Sequence, residues 1–200
     1  MKRSSRILAL ITLGFCALSA AAGTTLQNLQ TAFNGESNAH ARYLAFAKKA
    51  DAEGFAQAAA LFRAAARAEE VHAANHAVVI KKMGGAPEAK IDTPEVKSTR
   101  ENLETAVKGE TYERDVMYPE FLKQARAEGN RDAIQTFNYA KTAEAEHAKL
   151  YSAAAADPGK MKAKGVTYQV CSVCGYTVPK ADFSKCPSCF TPKEKYETVG

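Results

Sequence analysis

The strongest constraint on this 200-residue chain is a pattern of carboxylates and histidines that occurs twice. In each copy a single glutamate precedes a Glu-x-x-His sequence by 33 or 34 residues. The single glutamates stand in matching tripeptides, Gly35-Glu36-Ser37 and Gly109-Glu110-Thr111. A repeat of this length predicts two copies of one helical hairpin, with equivalent residues in register. The repeated residues are Glu36, Glu69, His72, Glu110, Glu144 and His147.

The hydrophobic period predicts four helices, over about 25–53, 55–83, 95–128 and 131–156. Glycine-containing turns or a Pro-rich loop separate them, and Pro119 is expected to kink the third helix. On each helix the repeated acids and histidines share the apolar stripe that packs inward. The sequence therefore predicts an all-α four-helix bundle whose interior contains carboxylates.

A buried carboxylate without a partner is costly, so this bundle interior requires cations. Glutamates with Glu-x-x-His pairs on facing helices are typical of a carboxylate-bridged site for two non-haem iron ions. Glu113 lies three residues after Glu110 on the same stripe and has no counterpart in the first half. We therefore expect Glu113 to be a seventh inward ligand that makes the site asymmetric.

Four further side chains near these stripes have competing interpretations. His40 and His76 lie one turn beyond a predicted ligand, which favours hydrogen-bonded core histidines over ligands. Tyr43 and Tyr118 could donate hydrogen bonds to metal-bound carboxylates, or could simply be packing aromatics.

Four cysteines near the C-terminus form two Cys-x-x-Cys pairs separated by 11 residues, namely Cys171, Cys174, Cys186 and Cys189. In an exported protein they could form two disulfides. Two tight pairs at this spacing instead favour a tetrahedral site for one Fe or Zn ion. We expect a polar linker over 157–165 and a small strand-and-turn domain over 166–200, after a bundle over 23–156.

The first 22 residues predict a secretory signal peptide. Lys2, Arg3 and Arg6 precede a 14-residue apolar stretch, and Ala20-Ala21-Ala22 offers a cleavage site. This stretch is short for a membrane span, so an uncleaved anchor is the weaker alternative. We expect export, to the periplasm. Without the leader's three positive charges the net charge of +5 is nearly balanced, so no nucleic-acid partner is indicated.

These motifs together resemble the rubrerythrin family over residues 26–200. They are Gly35-Glu36-Ser37, the two Glu-x-x-His sequences, Gly109-Glu110-x-x-Glu113, Met117-Tyr118-Pro119 and Cys-x-x-Cys-Gly-Tyr followed by Cys-Pro-x-Cys. The resemblance implies a ferritin-like di-iron bundle, then a rubredoxin-like domain with one iron held by the four cysteines. It implies reduction of hydrogen peroxide to water, with the six repeated residues and Glu113 as di-iron ligands. It also implies that one iron exchanges His72 for Glu113 between redox states.

The resemblance further implies a homodimer or larger homo-oligomer, in which one subunit's cysteine-bound iron approaches the other's di-iron site. We expect an exported di-iron peroxidase in which Glu113, Tyr43 and Tyr118 take part in catalysis. The donor is expected to be an exported redox protein such as a c-type cytochrome, because the chain lacks a Gly-x-Gly-x-x-Gly dinucleotide loop. The alternatives are a ferroxidase or iron-handling protein, and a binding module whose four cysteines hold a structural zinc.

Overall fold

A computed structural model describes residues 23–200, so the predicted leader lies outside the described residues. The helices are α1 (Thr25–Ala52), α2 (Ala56–Lys82), α3 (Thr99–Tyr112), α4 (Tyr118–Ala127) and α5 (Arg131–Ala156). The tail has a short 3-10 helix (Pro158–Lys162) and the strands β1 (Tyr168–Cys171), β2 (Thr177–Val178) and β3 (Tyr196–Val199). The predicted fold class, a helical bundle followed by a small strand region, is confirmed.

The third predicted helix differs from expectation at its start. It begins at Thr99 and not near residue 95, because Ser98 and Glu101 form a reciprocal capping box there. The preceding segment has no regular structure and lies along α1, where Asn34 and Asn38 hold it. The Lys90 N–H donates to Asn34 Oδ1 at 2.8 Å, and the Asp92 N–H donates to Asn38 Oδ1 at 2.9 Å.

The same helix is interrupted in its middle. A π-helical segment, Glu113–Met117, joins α3 to α4. Pro119 then lies in the first turn of α4, where a missing backbone N–H is tolerated. The irregularity expected at Pro119 therefore takes the form of a widened turn just before it.

Two buried clusters form the bundle core, one on either side of the acidic residues. Aromatic rings dominate one cluster, with Tyr43, Phe46, Phe62 and Tyr151 at centroid distances of 5.4–6.2 Å. The other contains Tyr118 and Phe137, whose ring centroids are 5.9 Å apart. Buried alanines line much of α2, which lets neighbouring helices approach closely. The apolar clusters thus close the acidic interior at both ends.

The tail folds against the bundle of its own chain. Its antiparallel sheet has the order β2-β1-β3, and Tyr168 and Val170 of β1 belong to the same buried cluster as Phe62. Met161, within the predicted linker, is also buried in that cluster. An ion pair joins Arg67 Nε of α2 to Glu197 Oε2 of β3 at 2.7 Å. This packing brings the four cysteines close to the acidic interior. Within residues 23–200, no helix is long and apolar enough to cross a membrane.

Candidate metal centres

Six of the seven predicted inward ligands meet at the centre of the bundle. They form two overlapping groups, whose ligand atoms lie within 4.8 Å of one another in each group. Glu69 and Glu144 belong to both groups, which is the arrangement expected of carboxylates that bridge two metal ions. The groups are Glu36, Glu69, His72 and Glu144 on one side, and Glu69, Glu110, Glu144 and His147 on the other.

The electrostatics of this cluster call for cations. All six side chains are at most 1% exposed, yet five carboxylate oxygens and His147 Nδ1 have no hydrogen-bond partner at a suitable angle. Burial, followed by the charges of Glu69 and Glu144, raises the pKa of Glu110 to about 8. The same causes raise the pKa of Glu36 well above its usual range. Two divalent or trivalent ions would neutralise this charge and occupy the unpartnered oxygens, so the residues fit a di-iron group.

Two tyrosines hold carboxylates of the cluster in place. The Tyr43 hydroxyl donates to Glu110 Oε1 at 2.5 Å, and the Tyr118 hydroxyl donates to Glu36 Oε1. Burial raises the pKa of both hydroxyls well above the usual range, so they remain protonated donors. Sequence reasoning left a hydrogen-bonding or a packing role open for these residues, and the structure gives both tyrosines both roles.

His76 extends the hydrogen-bonded chain away from Glu36. His76 Nε2 lies 3.1 Å from the Tyr118 hydroxyl, and its Nδ1 lies 2.9 Å from Thr136 Oγ1. Burial, followed by the charge of His72, lowers the pKa of His76 to about 3, so its imidazole is neutral. Thr136 also lines a surface pocket of about 140 Å³, so the chain links the cluster to the outside. His40 lies elsewhere, with Nδ1 2.8 Å from the Ala66 carbonyl, and belongs to neither metal group.

Glu113 lies beside the two groups of ligand atoms. It is the first residue of the π-helical segment and belongs to neither group of ligand atoms. Desolvation and the charges of Glu36 and Glu110 raise the pKa of its carboxyl well above the usual value. It also lines a polar pocket of about 460 Å³, together with Arg42. Glu113 therefore separates the buried cluster from a solvent-connected cavity.

The four cysteines converge on a second centre. Their sulfur atoms lie within 4.8 Å of one another, and all four are free thiols and not disulfides. Two sulfur–sulfur distances are 3.7 Å (Cys171–Cys189) and 3.6 Å (Cys174–Cys186). A tetrahedron with metal–sulfur bonds of about 2.3 Å has edges of about 3.8 Å, so this cage fits one Fe or Zn ion. The structure therefore agrees with the tetrathiolate interpretation and not with two disulfides.

One hydrogen bond connects the two centres. His72 Nε2 lies 3.1 Å from the carbonyl oxygen of Cys174, while its Nδ1 faces Glu69 Oε2 at 2.8 Å. Since the Nε2–H donates to the carbonyl, Nδ1 is left as the nitrogen for a metal. His147 repeats this pattern, with Nε2 3.1 Å from Thr177 Oγ1 and Nδ1 2.7 Å from Glu144 Oε2.

The fit at this contact depends on Gly175. A Cβ at that position would lie 2.2 Å from His72 Nε2. In the single chain described, the tail makes this approach to its own bundle, and the resemblance implies the same kind of approach across subunits. Sequence reasoning missed this contact, because contacts between separate domains leave no periodic pattern.

Comparisons with known proteins indicate the family to which this architecture belongs. The sequence model of the family described as Rubrerythrin matches residues 27–155. Nigerythrin from Nitratidesulfovibrio vulgaris is 41% identical over 180 residues, which cover 88% of this chain and 87% of nigerythrin. The chain belongs to the rubrerythrin family. Rubrerythrin-2 from Clostridium acetobutylicum is 36% identical over 182 residues, covering 86% of this chain and 95% of that protein.

Solved structures agree with this membership. The fully reduced, all-ferrous state of nigerythrin superposes with a TM-score of 0.82 at 35% identity, covering 99% of this chain and all of nigerythrin. Bacterioferritins, such as that of Desulfovibrio desulfuricans, share the fold of the bundle at 22% identity and a TM-score of 0.64, with 69% of this chain and 81% of theirs covered. The central cluster is thus the di-iron type of site found in rubrerythrins, with the family's four-cysteine site beside it.

Proposed function

We propose that this rubrerythrin reduces hydrogen peroxide to water at a di-iron centre that is re-reduced through an iron held by the four cysteines. The observation that carries the proposal is the single hydrogen bond between His72 and the Cys174 carbonyl. A protein that only stores iron, or that uses a structural zinc, has no need for this contact. A one-electron centre placed against a two-iron centre suits a reaction that consumes two electrons per peroxide.

When bound, the two irons supply Lewis acidity and the electrons that reduce the O–O bond. The protein's own residues fix the geometry around them. Tyr43 and Tyr118 orient the carboxylates of Glu110 and Glu36. Two protons are required per peroxide, and we propose that they arrive along Thr136, His76 and Tyr118.

Peroxide also needs a route into a buried site. The pocket of about 460 Å³ that Glu113 and Arg42 line has polar walls, which suits a small hydrogen-bonding molecule. Glu113 stands between this pocket and the cluster. We propose that peroxide passes this side chain, which would make Glu113 a group that influences rate more than metal affinity.

The compartment is a separate proposal, supported by the sequence of residues 1–22. We propose that the leader is cleaved near Gly23 during export and that an exported redox protein supplies electrons. N-terminal sequencing of protein from the native host should find a start near residue 21 or 23. An intact Met1 in the membrane fraction would favour the anchor alternative.

Anaerobic reduction followed by peroxide tests the catalytic proposal. A ferric tetrathiolate absorbs visible light and a zinc site does not, so the same spectrum identifies the metal. The iron-loaded protein should hold three irons, and its tetrathiolate band should return within one turnover of peroxide addition. Replacing Cys171 and Cys174 by Ser should remove one iron and the band. A wild-type band that stays bleached in excess peroxide would refute the relay.

A further inference from the structure

The two Cys-x-x-Cys turns of the tail have the same backbone but different residues after the second cysteine. The Gly175 N–H donates to the Cys171 carbonyl at 2.9 Å, and the Phe190 N–H donates to the Cys186 carbonyl at 2.9 Å. Both residues have left-handed backbone angles, with φ of 74° and 60°. Within residues 23–200, Phe190 is the one non-glycine residue with positive φ. A phenylalanine thus occupies a position that favours glycine.

The two turns face in opposite directions. Gly175 faces the bundle, where a Cβ would collide with His72. Phe190 is 73% exposed, and its neighbour Cys189 is the one cysteine of the four that is not fully buried. The four-cysteine centre therefore has an inner side against the di-iron site and an outer side at the surface. Electrons that leave through the inner side must enter elsewhere, and the outer side is the most accessible place.

Folding alone does not explain Phe190. A bulky residue in the left-handed region is strained, and burial that could offset this strain is absent because the ring is exposed. Strain retained without a packing gain is a sign of a functional constraint. An exposed aromatic ring is also the side-chain type enriched at the centres of protein interfaces. These properties favour a role for Phe190 as a contact residue for another protein.

The charge around Phe190 indicates what kind of protein would bind there. Residues 185–195 contain Lys185, Lys193 and Lys195 against one acid, Glu194, and all four are exposed. The Lys193 N–H donates to the Ser184 carbonyl at 3.1 Å, and Lys185 pairs with Pro192, so these lysines lie on the hairpin that presents Phe190. None of the three lysines forms an ion pair with another described residue. A positive rim around an apolar centre attracts a negatively charged partner and accelerates its association.

We propose that Phe190 and Cys189, with the rim of Lys185, Lys193 and Lys195, form the docking surface for an acidic electron-donor protein. The inference rests on the proposed function, because it supplies the electrons that peroxide reduction consumes. In each encounter the donor would give up one electron, which an iron held by the four cysteines would accept in passing from ferric to ferrous. Two such encounters, with two protons, balance the reduction of one peroxide to two waters.

Binding can be tested without catalysis, on protein with zinc in the four-cysteine site. The probe is an acidic flavodoxin, with basic mitochondrial cytochrome c as the charge control, and Kd is measured by NMR titration at low salt. Flavodoxin should bind wild type, with tail amides near Phe190 shifting, and cytochrome c should not. Phe190→Gly should weaken flavodoxin binding about tenfold. It should also raise Tm by about 2–4 °C, because glycine removes the strain.

The rim is tested with Lys185→Glu/Lys193→Glu/Lys195→Glu, and the matched control is Lys123→Glu on α4, which is exposed and outside the tail. In iron-loaded protein, the bimolecular rate of reduction by flavodoxin hydroquinone should fall with salt in wild type and Lys123→Glu. In the triple variant it should be at least tenfold slower at low salt and should rise with salt. Reduction potentials of all variants are also measured. If a shift in the potential of the triple variant accounts for its slower reduction, the lysines act on the charge around the metal and the docking role is overturned.

Wild-type affinity or reduction rates in Phe190→Gly would overturn the inference, as would preferential binding of cytochrome c or no saturable binding of flavodoxin. Chemically reduced Phe190→Gly should still be reoxidised by peroxide at the wild-type rate. The docking surface can therefore fail while the proposed peroxidase function stands. Conversely, zinc-loaded protein can bind flavodoxin even if the iron-loaded protein does not reduce peroxide.

Discussion

At the scale of single residues, the central cluster divides into shared ligands and a neighbouring acid. Glu69 and Glu144 belong to both ligand groups, whereas Glu113 belongs to neither. The other six expected ligands all lie in regular helix on stripes that face inward, and the structure brings these six side chains together. Glu113 stays a predicted seventh ligand, since its i+3 spacing from Glu110 lies within regular helix and the π-helical segment begins only at Glu113 itself.

Substitutions should separate these roles. Glu113→Ala should retain near-full iron content, because both ligand groups remain complete, but should slow single-turnover reoxidation by peroxide about tenfold or more. Glu69→Ala and Glu144→Ala should instead lose iron from both positions. Metal analysis and stopped-flow absorbance measure the two quantities. Equal iron loss in all three variants would make Glu113 an ordinary ligand, and no effect of Glu113→Ala on either would remove it from the site.

The buried acids also make metal-free protein sensitive to pH. The pKa of Glu110 is raised to about 8 by burial and nearby carboxylates, and those of Glu36, His72 and His147 are raised as well. A pKa raised on folding contributes stability that is present below the unfolded value and lost as pH rises through the folded value. Metal-free protein should therefore lose stability between about pH 5 and pH 8, by an amount on the order of 4 kcal/mol.

Urea unfolding of chelator-treated protein at both pH values measures this effect. Metal-loaded protein is the control, since the ions replace the protons and its stability should rise with pH over the same window. Glu110→Gln should reduce the slope of the metal-free protein. A metal-free protein that is more stable at pH 8 than at pH 5 would contradict the assignment of these groups.

At the scale of elements, capping residues indicate where the helices begin more accurately than the hydrophobic period does. The period placed the start of the third helix near residue 95, but the capping box of Ser98 and Glu101 begins it at Thr99. Thr24 and Gln27 form the equivalent box at α1. A capping box satisfies backbone N–H groups that have no partner inside the helix, so it fixes the first turn locally.

Removing the cap of α3 should weaken the bundle by a measurable amount. Ser98→Ala should lower the free energy of unfolding by about 1 kcal/mol, while Ser98→Asp, which retains an acceptor, should stay close to wild type. Denaturant unfolding of the metal-loaded forms is the measurement. Identical destabilisation by both substitutions would show that the Ser98 hydroxyl matters for a reason other than capping.

At the scale of the whole molecule, the notable feature is that the tail docks on its own bundle. The repeat and the cysteine spacing predicted both metal-type centres from the sequence alone. Neither predicted their contact, which depends on Gly175, Cys174 and His72 meeting across two separately folded surfaces. Arg67 and Glu197 secure the same surface, and their sequence separation of 130 residues gave no signal.

Because the tail docks on the bundle of its own chain, we expect that two variants, each defective in a different centre, do not complement each other. One variant lacks the cysteine site (Cys171→Ser/Cys174→Ser) and the other lacks shared di-iron ligands (Glu69→Ala/Glu144→Ala). Refolded together with iron, they should show no more peroxide turnover than the sum of the separate variants. Wild type diluted with either variant is the control for refolding.

A readout without activity uses zinc-loaded protein. Arg67→Cys/Glu197→Cys, joined by a short thiol cross-linker after mixing light and heavy isotope-labelled copies, should yield cross-linked peptides of one label only. Mixed-label peptides or recovered turnover would show that the tail reaches across to a second subunit.

The widened turn between α3 and α4 has a consequence for how the chain tolerates changes in length. Glu110 and Tyr118 both reach the metal site although they are eight residues apart, a spacing that in a regular α-helix would rotate them about 80° away from each other. The π turn absorbs the additional residue and returns Tyr118 to the face of Glu110. Deleting one residue inside 113–117 would therefore restore regular helix and keep both side chains in phase. The same deletion between Tyr118 and Gly129 would turn the remainder of α4 out of the core, so two equally short deletions in one helix would have opposite outcomes.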